Sequence, residues 1–314
     1  MKKSTTVYPW GNTHRYHRYV DYQRKVHGQR VQKVTVDAGF TCPNRDGALA
    51  RGGCIYCNNQ SFNPGYNDPQ KSITQQISEG MAFLKRRYQK VSQFIVYFQP
   101  YSNTYAPLDT LKKYYEEALS HPGVIGLTIG TRPDCVDVAK IAYLQSLAKD
   151  FDITVEYGLE SISDETLKRI NRGHSVSAYL EALEMTKNRG IKIATHMIFG
   201  FPWESRELWL ETAGWLSERP FDFLKIHQLH IVRDTALAAQ YLKNPFPLLT
   251  AGEYLELIIG FLERLTPRLI IQRLFGEAPP HTLIAPHWGL RNTQLVKMLE
   301  AEMEKRNTWQ GKYY

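Results

Sequence analysis

From residue 30 onward, short runs of branched and aromatic residues alternate six times with stretches whose apolar positions recur at helical spacing. The runs predict strands over 31–36, 93–99, 124–130, 153–159, 192–199 and 223–231. The periodic stretches predict helices over 72–88, 108–119, 138–148, 177–188, 206–216 and 253–265. Gly190 follows one helix and Gly123 precedes one strand, as stop and turn signals do. Strands that alternate with helices run parallel, each reached by a right-handed crossover. Six units are too few to close a TIM-type ring. The expected fold is therefore α/β, an open partial (β/α)6 barrel of the TIM type over residues 30–245. Residues 1–29 would form a basic helical arm. Asn244-Pro245-Phe246-Pro247 reads as a hinge into a C-terminal extension, 246–314, packed on the barrel. That extension holds a possible strand over 268–274 and an amphipathic helix over 293–306.

At 314 residues, 43% apolar and 22% charged, the chain can bury a full core without unusual composition. Its first residues offer no apolar run of the kind that directs secretion. The longest apolar stretches, such as 257–262, are far too short to span a bilayer. The expected location is the cytoplasm, away from membranes, where thiols stay reduced.

That compartment matters because three of the four cysteines are bundled as Cys42-x11-Cys54-x2-Cys57, just after the first predicted strand. Bundled thiols in a reducing compartment point to a metal centre. A closed zinc site takes four ligands, so these three would need Cys135 or a distant histidine to complete it. A cubic 4Fe–4S cluster on three thiolates instead leaves one iron open to an outside ligand. The spacing leaves both readings open.

In parallel β/α folds, the C-terminal ends of the strands carry the active site. The unusual segments of this chain all fall there. The cysteine loop follows strand one, Gln99-Pro100-Tyr101 follows strand two, and Thr131-Arg132-Pro133-Asp134 follows strand three. Glu160 ends strand four, Gly200-Phe201-Pro202 ends strand five, and His227 and His230 lie near the end of strand six. Because strand neighbours alternate faces, one face of each strand can be read off. Those faces carry Lys33, Tyr97, Glu156, Glu160, His196 and Lys225, with Gly130 and Gly158 between them. A packed barrel core would be apolar on both faces, so the polar faces predict a cavity for a large polar ligand. Arg132, Lys225, His227 and His230 are candidates for its substrate side.

Cys54-Ile55-Tyr56-Cys57, with an aromatic before the last cysteine, resembles the cluster loop of the radical S-adenosylmethionine (SAM) superfamily. The eleven residues between Cys42 and Cys54 depart from the commonest form of that loop and resemble the longer-loop branch that includes the catalytic subunit of Elongator. Within that branch, Cys42-Pro43-Asn44-Arg45-Asp46-Gly47, Thr131-Arg132-Pro133-Asp134 and Asn171-Arg172-Gly173-His174 resemble the bacterial YhcC-like proteins. The resemblance runs over roughly residues 31–288 and implies the same partial barrel. It also implies a 4Fe–4S cluster on Cys42, Cys54 and Cys57, with SAM chelated to the open iron. One electron, from a flavodoxin or ferredoxin type of donor, would then cleave SAM to methionine and a 5′-deoxyadenosyl radical. By the same resemblance Tyr56 lies near the adenine, and Glu160 and Arg172 hold the SAM ribose and carboxylate. Gln99 stands where many relatives carry a Gly-Gly-Glu run for the SAM amino group, and that run is absent here.

The charge is concentrated at the ends. Eight Lys/Arg face Asp21 alone in residues 1–33, and eight face four Glu in 264–314. On a helical arm, Tyr16, Tyr19 and Tyr22 form one stripe with Arg15, Arg18 and Arg24 between them. Such a stripe either docks on the domain body or stacks on exposed bases. Elongator-type relatives act on wobble uridines, so the resemblance implies tRNA side-chain modification. Two other functions stay open. One is a small-molecule or tetrapyrrole substrate, as in the oxygen-independent coproporphyrinogen oxidases. The other is a zinc-dependent nucleic-acid-binding module without catalysis.

Overall fold

The computed structural model describes residues 6–58 and 64–314. Helix α1 (Tyr19–His27) precedes strand β1 (Val31–Val36), which is followed by α2 (Ile73–Arg87) and β2 (Gln93–Phe98). Next come α3 (Leu108–Leu119), β3 (Val124–Thr131), α4 (Val138–Leu147) and β4 (Asp152–Glu160). Two helices, α5 (Asp164–Arg169) and α6 (Val176–Thr186), lead to β5 (Lys192–Phe199), then α7 (Arg206–Ser217) and β6 (Phe223–Gln228). The remainder holds β7 (Ile231–Val232), α8 (Ala236–Lys243), α9 (Ala251–Arg264), β8 (Ile270–Arg273), β9 (Leu283–Ala285) and α10 (Asn292–Lys305).

The main sheet runs β1-β2-β3-β4-β5-β6-β8, with parallel pairing throughout. The six expected strands form the half-barrel, and a seventh joins its edge beside β6. The seventh comes from the C-terminal extension. It was hard to read because β8 is four residues long and follows β6 only after another strand and two helices. The predicted run over 223–231 also divides, since β6 stops at Gln228 and β7 turns away to pair antiparallel with β9.

The helices start where short polar side chains can hold their first free N–H groups. Ser72, Asp137, Ser163, Ser175, Ser205, Thr235 and Thr250 each accept from the backbone N–H three residues on. Four of these caps, Ser72, Asp137, Ser163 and Ser205, end loops that follow strands of the main sheet. Strand parity then divides the residues. Val34, Val96, Leu127, Val155 and Ile226 point outward and are wholly buried under the helices, each burial stabilising by about 1.5–3 kcal/mol. The opposite face curls around the polar interior.

The N-terminal arm docks on the body. Tyr19 and Tyr22 set their rings edge-on to Phe223, at 5.1 and 5.4 Å. With Ala194 and Ile270 they plug the interior at the N-terminal ends of the strands. Just before α1, the chain pairs with the edge strand, Ile271 N–H donating to the His17 carbonyl at 2.8 Å. Arg15 is buried, donating to Tyr8 Oη at 2.6 Å and Asn307 Oδ1 at 3.1 Å. Arg18 pairs with Asp21 at 2.9 Å and Glu300 at 3.0 Å. Of the two fates open to the stripe, docking is the one observed, and of the three arginines only Arg24 is fully exposed. Lys2 and Lys3 lie outside the described residues. No helix among the described residues is long and apolar enough to cross a membrane.

Candidate active site

The cysteine loop leaves the C-terminal end of β1 and is held by the turn that follows α5. Ile55 N–H donates to the Ile170 carbonyl at 3.0 Å, and Asn171 Nδ2 donates to the Gly53 carbonyl at 2.8 Å. Asn44 Nδ2 in turn donates to the Asn171 carbonyl. The turn is tight, with Gly173 at φ +77° and so close to Asn44 that a Cβ would sit 2.5 Å from its Oδ1. A side chain at 173 would be excluded twice, by its φ and by that contact.

Held this way, Cys42, Cys54 and Cys57 are free thiols on the wall of one cavity. Cys135 is not among its lining residues: it is buried in the turn Pro133–Cys135, its thiol 3.9 Å from Asp134 Oδ1. Among the described residues no three or more His, Cys, Asp or Glu converge on a point that a single ion could fill. Zinc ligands all lie roughly 2.0–2.3 Å from one point, whereas cluster thiolates bind at separate corners of a larger object. Three free thiols on the wall of one cavity are the kind of ligand that such a cluster takes. Desolvation, and then neighbouring Cys54, push the Cys57 thiol up to about 12, so its ligation must displace a proton.

Arg172 reaches the cluster side from the same turn. Its guanidinium donates to the Gly158 carbonyl at 2.7 Å and to Cys54 Sγ at 3.5 Å, while its Nε is buried with no partner. Glu160 ends β4 at φ +73°, with one oxygen 3.5 Å from Arg172 and the other 3.1 Å from His196 Nδ1. Burial pushes the Glu160 carboxyl up, but His196, and after it Arg172, outweigh that and hold it below the usual range. Gly158 leaves room for the pair, since a Cβ there would lie 2.4 Å from Arg172 and 2.6 Å from Glu160. Tyr56 and Gln99 line the same cavity, Tyr56 with its ring 6.3 Å from that of Phe201. The orphaned Arg172 Nε, the Glu160 carboxylate and these two side chains are a donor set that suits a zwitterionic nucleoside such as SAM.

Arg132, expected on the substrate side, is 1% exposed and already engaged. It donates to both Asp134 oxygens, at 2.9 and 2.7 Å, and to the Arg172 carbonyl. It lines the cavity and also braces the Arg172 turn. Lys225, His227 and His230 do line the floor of the cavity. Lys225 Nζ lies 2.6 Å from Glu156 and 2.8 Å from Tyr97 Oη, which itself donates to Glu156 at 2.7 Å. The His227 ring lies between His196 at 4.9 Å and His230 at 5.8 Å. Burial, and then His196, hold His227 well below its ordinary value, and burial with Arg273 lowers His230 to about 4. Both are neutral at pH 7.

Sequence reasoning put Glu156, Tyr97 and His196 on inward faces without naming them as site residues. It missed Arg273 altogether. Register pairs Lys225 with Arg273 across β6 and β8, so the signal was strand parity, lost because 268–274 was assigned outside the barrel. Arg45, also unnamed, lies at the cavity mouth with its guanidinium 5.3 Å from the Tyr101 ring centre.

Comparison with known proteins agrees with this geometry. By sequence the chain is 32% identical over 311 residues to YtqA of Bacillus subtilis, covering 98% of this chain and 95% of YtqA. It is 34% identical over 263 residues to YhcC of Escherichia coli, covering 83% and 84% of the two chains. A tRNA uridine(34) acetyltransferase of Methanocaldococcus infernus is 26% identical over 185 residues, 58% of this chain but 34% of that protein. The fold is similar to that of Elp3 from the same archaeon, solved with an N-terminal deletion, at a TM-score of 0.68 and 17% identity. That match covers 89% of this chain and 64% of the Elp3 chain, so this chain spans less than two thirds of it. Residues 42–216 match the Radical SAM superfamily and residues 221–305 the Radical_SAM C-terminal domain, and the chain is accordingly an enzyme of the radical SAM superfamily.

Proposed function

We propose that this enzyme reductively cleaves SAM at a 4Fe–4S cluster held by Cys42, Cys54 and Cys57, and that its substrate is tRNA, modified at a wobble-uridine side chain. The carrying observation is that three free thiols and the Arg172–Glu160 pair face one cavity at the C-terminal ends of the strands. When bound and reduced, the cluster with SAM supplies a carbon-centred radical that abstracts a hydrogen atom. The chain's own residues hold, orient and shield. Arg172 sets a buried positive charge against Cys54, and Glu160 offers a carboxylate on the same wall. Outer-face packing and the tyrosine plug close the far end of the interior to water. The reading places the enzyme in the cytoplasm, with a flavodoxin or ferredoxin type of protein as electron donor.

Two observations support tRNA. One is the sequence likeness to a tRNA uridine(34) acetyltransferase. The other is a set of exposed cations: Arg45 on the cavity lining, Arg51 in the same loop, Lys168 and Arg169 in α5, and Arg233 after β7. The arm is less suited, being docked at the opposite end of the strands. Filter binding of tRNA across a salt series tests the reading, because each neutralised phosphate releases counterions. Changing Arg51, Arg169 and Arg233 to Ala should flatten the slope of log affinity against log salt by about 0.7–0.9 per lost contact. Arg24→Ala should leave it unchanged. Equal slopes for wild type and the triple variant would remove these cations from the interface, and absence of tRNA binding by wild type would favour a small-molecule substrate.

SAM binding has its own test. In cluster-loaded Arg172→Ala, SAM affinity should fall roughly ten- to a hundredfold with iron retained, as expected for a lost charge-assisted contact of about 1.5–3 kcal/mol. Unchanged affinity, measured by equilibrium dialysis, would place this arginine outside the SAM site.

A further inference from the structure

We propose that Arg273 is the receptor for an oxyanion on the substrate, a carboxylate or a phosphate, at the floor of the cavity. The proposal deepens the reading above and rests on it for the identity of the cavity. It starts from the pairing of the cavity's cations. Lys225 has Glu156 at 2.6 Å, Arg172 has Glu160 at 3.5 Å, and Arg132 has Asp134 at 2.7 Å. Arg45 is exposed at the mouth, on the thiol side. Arg273 faces the interior, yet among the described residues no carboxylate lies within ion-pair distance of it. Its guanidinium meets His196 Nε2 at 3.3 Å, and its Nε is buried without a hydrogen-bond partner.

Burial is the largest influence on Arg273, and Glu156 acts on it only from beyond ion-pair distance. His196 meets the guanidinium through Nε2 at 3.3 Å while its Nδ1 faces Glu160 at 3.1 Å, so an imidazole rather than a carboxylate lies against Arg273. Glu277, which also lines the cavity, is engaged by the Asn292 N–H at 2.9 Å. Space is kept open beside the arginine's neighbours: a Cβ on Gly276 would come within 2.9 Å of His227 and 3.1 Å of His230. A desolvated cation without a counter-ion is unfavourable unless a ligand completes it. A guanidinium is a planar fork of donors matched to two oxygens of one group, so the missing partner is an oxyanion.

The test uses cluster-loaded protein with SAM present, so that any contact with the cofactor's carboxylate is already satisfied. Phenylglyoxal labelling of Arg273 is followed by peptide mass in acetate, inorganic phosphate or chloride at equal ionic strength. At least one oxyanion should slow the labelling by about threefold or more relative to chloride, while Arg45 is labelled alike in all three. Protection by acetate alone identifies a carboxylate on the substrate, and protection by phosphate alone a phosphate group. Equal labelling of Arg273 in the three salts overturns the proposal, as does full protection by SAM with no further effect of either oxyanion. An oxyanion-specific rise in melting temperature should be kept in part by Arg273→Lys and lost in Arg273→Gln. A rise unchanged in Arg273→Gln would likewise overturn it. Failure of wild type to cleave SAM would sink the activity reading while leaving the labelling result intact, so the two can fail separately.

Discussion

Replacing any one of Cys42, Cys54 and Cys57 with Ala should abolish cluster assembly, while Cys135→Ala should leave it intact. Anaerobically reconstituted wild type should carry about four irons and four sulfides per chain. The three thiols are free and line one cavity, and Cys135 is not among the lining residues. A cube held by three thiolates has no spare protein ligand, so loss of one opens a second iron to solvent. Iron content and visible absorption measure the outcome directly. Melting curves of the apo-proteins show whether the loop has collapsed, since Asn44 and Asn171 anchor it independently of the metal. Cluster loss in Cys135→Ala, with retention in Cys42→Ala, would overturn the assignment.

The second large effect should come from the floor. Glu156→Gln leaves the Lys225 ammonium buried without its partner at 2.6 Å. Breaking one side of a buried pair costs about 3–5 kcal/mol. Lys225→Met should cost a similar amount, and the double variant should lose much less than the two single losses combined, because no charge is then stranded. The pair also makes stability depend on pH. Burial pushes the Glu156 carboxyl up, but Lys225 and then Lys33 outweigh it and hold it near 2, below its ordinary 4.5. A depressed carboxylate contributes stability that is full above the ordinary value and lost as pH falls through the folded one. Wild type should therefore lose about 3 kcal/mol between pH 4.5 and pH 2 from this group, and Glu156→Gln should lack that component. Urea denaturation of the apo-protein across pH measures both. A loss under about 1 kcal/mol in Glu156→Gln at pH 7 would show the pair to be solvated rather than buried.

Much of this site was legible because it depends on local rules. Alternating strand and helix periods located the six principal strands, and side-chain parity placed Tyr97, Glu156, Gly158, Glu160, His196 and Lys225 on the wall where they are found. What was missed shares one cause. Arg273 sits on a four-residue strand whose partner is decided by long-range pairing with β6, and nothing in a run that short announces a neighbour. The partners of Arg132 were illegible for a related reason. Its position at a strand end is a matter of periodicity, but whether its donors face ligand or protein depends on Asp134 and on a carbonyl forty residues away.

The arm illustrates the same division. Its helix is a local matter, with Gly28 stopping it in the left-handed region at φ +69°. Its stripe of tyrosines could have served protein or RNA equally well, and only the Phe223 face beneath it selected docking. By itself, then, the sequence determined the parallel α/β architecture, the rim that carries the chemistry and the three-thiol loop, because each follows from spacing along the chain. Tertiary structure alone decided the seventh strand, which arginines are paired, and that among the described residues no carboxylate stands within ion-pair distance of Arg273. Those depend on distances between residues far apart in the chain, and spacing along a chain does not contain them.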